Sequence, residues 1–240
     1  MWLGGAGPAV LLLHSAWGDA QMSWSAVWDD LSRSFTVVAP DMPGYGASDP
    51  AADPSLAKSA ALLKDLLDNL GVDSAVVVGN SFGVALAIEL ASQHPENVKY
   101  LVMVNGTRIP AVPGFVKGIF RIPPIRRRFQ AMAWSDGAFA RGFPKQGALP
   151  AGFIDRIRSF KDRHPRIGFD AVMSQVKPQL RPTVPMTVIW GTGDRLVSPR
   201  QMQSFRRWLG GHGYVPLANA GHMPQLEMPK EFTAALLALR

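Results

Sequence analysis

Apolar residues fall along this chain in two rhythms. Short, nearly unbroken runs recur at 8–13, 35–39, 76–78, 98–104, 186–190 and 214–217. Runs of that length, rich in Val, Ile and Leu, predict strands buried on both faces. Between them, apolar residues repeat at helical spacing over 25–34, 56–70, 84–91, 201–209 and 231–239. Gly71 follows the second of these as a C-cap. The stretch "DMPGYGASDP" at 41–50 is dense in Gly and Pro and reads as a turn-rich connection. Strands alternating with helices predict an α/β fold, a mostly parallel sheet with helices on both faces.

The alternation breaks between 106 and 182. That segment lacks strong strand signals and carries Pro123-Pro124, several Gly and many Arg. It predicts a mainly helical cap, 106–182, inserted between two strands of a core made of 1–105 and 183–240. Only a few residues precede the first clear strand, so any opening hairpin is short or missing. The formal charge of +7 is concentrated in the same place. Residues 105–182 hold fifteen Lys and Arg against four Asp and Glu, and the remainder holds ten against fourteen. Such a surplus is either a solvated face or a surface that steers an anionic partner. No nucleic-acid-binding module accompanies it.

With 240 residues the chain can bury a large core in one domain. No apolar run reaches the roughly 20 residues a membrane helix needs. The amino end has no positive region and no spacer to a cleavage site, so a cytoplasmic location is the expectation. There is no cysteine, which excludes disulfides, a thiol nucleophile and zinc–thiolate sites. No cofactor or metal is implied.

The candidate chemistry sits in "SAVVVGNSFGVALAIELA", residues 74–91. A valine strand runs into a helix through Gly-Asn-Ser-Phe-Gly, with Ser81 at its centre. Ligands of open parallel sheets bind beyond the carboxyl ends of strands, and Ser81 lies at such an end. A turn this abrupt leaves no room for a β-carbon at Gly79 or Gly83, and it strains the serine backbone. An ordinary serine N-cap would not need both glycines. A hydroxyl becomes nucleophilic once a base takes its proton. Of the five histidines, His94 ends the helix behind the serine, and His164 and His212 read as solvated. His222, in the loop between the last strand and the last helix, is the base candidate. Asp194, in "WGTGDRL" after a strongly apolar strand, would orient it, completing the chain order Ser81, Asp194, His222. Asn105 cannot serve as the acid. Two backbone amides would hold a developing oxyanion: that of Phe82, next to the serine, and that of Ala16, in the loop after the first strand.

In "LLLHSAWG", "DMPGYGASD", "VVVGNSFG", "VIWGTGDRLVSP" and "NAGHMPQLEMP", in that order, the chain resembles the α/β-hydrolase-fold serine hydrolases. The resemblance implies that His14 and the "DMPGYGAS" turn are scaffold. It departs from the family pattern at Ser15, where a glycine is usual, and at Val84, where a glycine is often found. The opening residues and the Arg-rich cap, with Arg121, Arg126, Arg127 and Arg128, resemble carboxylesterases that act on pimeloyl-carrier methyl esters. "VGNSFG" is also similar to the meta-cleavage product hydrolases, which break carbon–carbon bonds; those typically carry Trp where this chain has Met223. The resemblance therefore implies a small-molecule ester substrate, with an anionic ester or one carried on an acidic protein suited to the basic cap. Carbon–carbon hydrolysis of a dienoate, or ligand binding on a hydrolase scaffold, are the other readings.

Overall fold

The computed structural model describes residues 1–143, 149–175 and 177–239. Its centre is a seven-stranded sheet of β1 (Trp2–Gly4), β2 (Ala9–Leu13), β3 (Thr36–Ala39), β4 (Ala75–Asn80), β5 (Val98–Val104), β6 (Met186–Gly191) and β7 (Gly213–Leu217). The spatial order is β1-β3-β2-β4-β5-β6-β7, and every pair is parallel except β1 with β3. β1 is the short opening strand that the apolar pattern did not resolve. It pairs Trp2 with Ala39 along the edge, and the Trp2 ring stacks on Trp28 at 4.8 Å.

Parallel strands need crossovers, and the helices supply them on both faces. On one face, α3 (Leu56–Asn69), α4 (Phe82–Gln93) and α10 (Pro199–Leu209) bury Leu63, Leu67, Leu86 and Phe205 against Leu11, Val77, Leu101 and Val188. On the other, α1 (Ala20–Trp24), α2 (Trp28–Ser32) and α12 (Pro229–Leu237) bury Trp24, Leu31 and Phe232 against Val10, Leu12, Val78, Val102 and Ile189. Alternate strand residues serve opposite faces, so each apolar run feeds two cores. Of the helix expected over 25–34, only α2 forms. Asp19 caps the unexpected α1 by accepting from the Met22 amide at 2.8 Å.

Between β5 and β6 the chain leaves the sheet and forms α5 (Gly114–Phe120), α6 (Pro123–Ala133), α7 (Asp136–Gly142), α8 (Phe153–Ser159) and α9 (His164–Ser174). Residues 144–148 and 176 of this segment lie outside the described residues. A third cluster, with Phe139, Phe143, Phe153 and Ile157 from these helices, packs on Trp17, Met22, Met223 and Leu226 of the core. A short helix, α11 (Pro224–Glu227), lies between β7 and α12.

Candidate active site

Ser81 stands between β4 and α4 with φ 56° and ψ −112°, a conformation that costs a non-glycine residue about 1–3 kcal/mol. Neighbouring backbone enforces it. The Ser81 amide donates to the Val104 carbonyl at 2.9 Å, and its own carbonyl accepts from the Val84 amide at 3.0 Å. A β-carbon at Gly79 would collide with the Gly83 carbonyl, and one at Gly83 with the carbonyl of Leu13 in β2. The second glycine thus answers to the adjacent strand rather than to the turn itself.

The hydroxyl of Ser81 lies 2.8 Å from His222 Nε2, and His222 Nδ1 lies 2.8 Å from Asp194 Oδ2. A carboxylate can only accept, so Nδ1 carries the proton and Nε2 is left to accept from the serine. Asp194 is fully engaged. Its Oδ1 accepts from the amides of Leu196 (2.8 Å) and Val197 (3.3 Å), and its Oδ2 also accepts from Asn105 Nδ2 at 3.0 Å. Asn105, set aside by sequence reasoning because it is no acid, sits at φ 44° and bridges the ends of β5 and β6. Its Oδ1 accepts from the Gly191 amide at 2.8 Å.

His222 is buried, and its loop is held on every side. Its amide donates to the Gly142 carbonyl of α7 at 2.8 Å, and its carbonyl accepts from Asn80 Nδ2 at 3.0 Å. The carboxylate of Glu227 accepts from the amides on either side, Gly221 at 2.9 Å and Met223 at 3.1 Å. Burial pushes the Glu227 carboxyl up from its ordinary range, against the pull of those two amides. The Trp17 and His222 rings meet edge to face with centroids 5.4 Å apart. Asn80, Asn105 and Glu227 escaped the sequence reading. A signal was available for the asparagines, since each ends or follows an apolar strand where a polar side chain must find buried partners.

Ser81 and His222 open onto a cavity of about 450 Å³. Ala16 and Phe82 line it beside the serine. Phe82 begins α4, so its amide has no intrahelical acceptor one turn back. Trp134, Phe169, Val172 and Leu196 make most of the remaining wall apolar. Arg141 is the one cationic side chain among the described lining residues.

The other histidines divide. His14 Nδ1 donates to the Ser15 carbonyl at 2.7 Å and Nε2 accepts from the Met42 amide at 2.9 Å, tying β2 to the "DMPGYGAS" turn. Burial depresses its pKa. His94 is the C-cap of α4, as the pattern implied. His164, expected in solvent, is instead fully buried in the cavity wall. The preceding helix turn stacks Phe160 on it at 4.3 Å, Tyr45 approaches at 4.5 Å, and neither ring nitrogen has a hydrogen-bond partner among the described residues. Its charge-rich sequence surroundings hid that burial; Arg163 beside it reaches the Ser48 carbonyl at 3.0 Å instead.

Residues 10–236 match the model of the alpha/beta hydrolase family. The chain is 36% identical to a 2-hydroxymuconate semialdehyde hydrolase of Pseudomonas sp. strain CF600 over 246 residues, 98% of this chain and 83% of that one. Among solved structures, a thermophilic esterase from Thermogutta terrifontis superposes with TM-score 0.75 at 24% identity, covering 99% of this chain and 91% of that one. An enol-lactonase from Burkholderia xenovorans LB400 does so with TM-score 0.73 at 22% identity, covering 99% and 94%. The two structures speak to the fold, and the family model, spanning nearly the whole chain, to descent. The chain belongs to the alpha/beta hydrolase family.

Proposed function

We propose that the protein is a serine hydrolase that cleaves carboxylic esters through an acyl-enzyme. One observation carries this reading: the Ser81–His222–Asp194 relay, 2.8 Å at each link, at the wall of a mostly apolar cavity. Ser81 Oγ attacks the ester carbonyl carbon while His222 Nε2 takes the hydroxyl proton. The tetrahedral oxyanion is received by the amides of Phe82 and Ala16. Its collapse breaks the carbon–oxygen bond, and the imidazolium returns the proton to the departing alcohol. Water then attacks the acyl-serine by the same route, with His222 as base, and releases the acid. Asp194 stabilises the imidazolium, and Asn105 holds Asp194.

The reading is tested by treating the protein with a fluorophosphonate and locating the adduct by mass spectrometry. Labelling at Ser81 is expected. Ser81→Ala should fold normally and lose roughly 10⁴–10⁶ in kcat. An adduct elsewhere, or none, refutes it.

The identity to the 2-hydroxymuconate semialdehyde hydrolase favours a second reading, hydrolysis of a carbon–carbon bond in an anionic dienoate. The same serine and histidine would act, but the leaving carbon must be protonated. Comparing kcat/KM for a short p-nitrophenyl ester and for a ring-fission dienoate separates the two readings.

A further inference from the structure

Six of the ten large apolar side chains exposed among the described residues lie between 115 and 132: Phe115, Ile119, Ile122, Ile125, Phe129 and Met132. Phe115 is 73% exposed and Met132 57%. They are not scattered. Phe115 and Ile119 stand one turn apart on α5; Ile125, Phe129 and Met132 follow the three- and four-residue steps of one face of α6, and Ile122 caps that helix just before it. Phe129, 42% exposed, packs on Phe120 at 5.1 Å and on Phe169 of α9 at 5.9 Å, where the strip meets the rest of the inserted segment. Phe129 and Met132 also line the cavity at Ser81, so the exposed apolar strip is continuous with its wall.

The same twenty residues, 114–133, hold Lys117, Arg121, Arg126, Arg127 and Arg128 and no acidic residue. None of the five forms an ion pair among the described residues. At about 100° per residue, Arg126 and Arg128 flank the strip of α6 on its two sides. Contiguous exposed apolar surface marks an interaction site. Here it is bordered by unpaired cations, the composition of a segment that lies in a membrane interface.

We propose that α5 and α6 dock the protein on an anionic lipid surface, with the apolar strip inserted at the headgroup boundary and the cations on lipid phosphates. The cavity mouth then faces the bilayer. A second copy of the chain fits poorly, because it would set five unpaired cations against five. An acidic protein would satisfy the cations. However, four further cavities of the molecule lie away from these helices, and the exposed side chains of the patch stand out as protrusions for a surface to receive. The proposal is independent of the reaction at Ser81.

Co-sedimentation with vesicles tests it. The protein should pellet with phosphatidylcholine vesicles containing phosphatidylglycerol and stay in solution with phosphatidylcholine alone. Binding should weaken in about 1 M salt, where the screening length is about 3 Å. Arg126→Gln with Arg128→Gln should lower the partition coefficient about 25-fold, roughly fivefold per cation. Phe115→Ser with Ile119→Ser should lower it at least about tenfold, since apolar burial contributes alongside charge. All four positions lie outside the cavity wall, and circular dichroism checks that both variants are folded. The idea fails if anionic vesicles do not bind at low salt, or if either double variant binds as the wild type does. It fails equally if an acidic acyl-carrier protein is retained while vesicles are not, or if ultracentrifugation shows a dimer that both variants dissociate.

Discussion

A neutral imidazole walled in without a hydrogen bond is an unusual thing to keep, and His164 ties the cavity to acid stability. Burial first, then repulsion from the Arg163 guanidinium, pushes its pKa down to about 3. In the unfolded chain it titrates near 6.5. Between those values the unfolded state binds the extra proton. The contribution of His164 is therefore whole above pH 6.5 and is lost as the pH falls toward 3. His164→Phe keeps a ring to stack on Phe160 and removes the titration. Urea unfolding at pH 7.5 and 4.5 should show the wild type losing about 2–3 kcal/mol more than the variant over that interval. At pH 7.5 the variant should be no less stable, because two unbonded nitrogens have been replaced by carbon. Equal losses in the two proteins would mean that the imidazole is already solvated or already charged.

At the scale of elements, the passage from β4 through Ser81 into α4 shows what a sequence can and cannot disclose. The valine run and the alanine-rich helix are legible because each follows one period for its whole length, and the turn between them is legible from two glycines. What the glycines avoid was not legible, since it depends on which strand lies alongside. Gly83 is kept small by Leu13 and His14 of the neighbouring β2 end. Gly83→Ala should therefore push α4 away from β2. It should cost about 3 kcal/mol or more in denaturant titration, beyond the usual price of helix substitutions, which favour Ala over Gly. A variant as stable as the wild type would place that contact elsewhere. The same reasoning covers β1, α1 and α11. Three to five residues carry too little periodicity to announce themselves, and they form because β3 offers an edge, Asp19 a cap and Glu227 two acceptor oxygens. Asn80, Asn105 and Glu227 were hidden for a related reason. The two asparagines partner residues far along the chain, Asn80 with His222 and Asn105 with Asp194, and Glu227 serves amides four and six residues back that only the folded loop turns toward it.

For the whole molecule, the segment between β5 and β6 joins the substrate cavity to the charge of the protein. It is not loosely draped. The Gly142 carbonyl receives the His222 amide and the Arg141 carbonyl receives the Arg195 amide at 3.0 Å, so α7 is fastened to the loops of both His222 and Asp194. Arg156 reaches Asp19 at 3.4 Å, and Arg163 donates to the Ser48 carbonyl at 3.0 Å. Helices held this way keep Arg141 at a fixed place in the cavity wall, and the positive surplus of the segment would act on an approaching anion before any contact forms. Steering of that kind raises the association rate of anions and is screened by salt, whereas binding of a neutral molecule to the same apolar wall is not. An ester bearing a distal carboxylate and its uncharged amide analogue make a matched pair for measuring this. Between about 0.02 and 0.5 M NaCl, kcat/KM for the carboxylate should fall several-fold while that for the amide stays within about twofold. Arg141→Gln should lower the carboxylate's kcat/KM at every salt concentration, because its side chain lines the cavity itself. Should both substrates respond to salt alike, the positive surplus of this segment would play no part in substrate capture, and its cations would be left to surfaces outside the cavity.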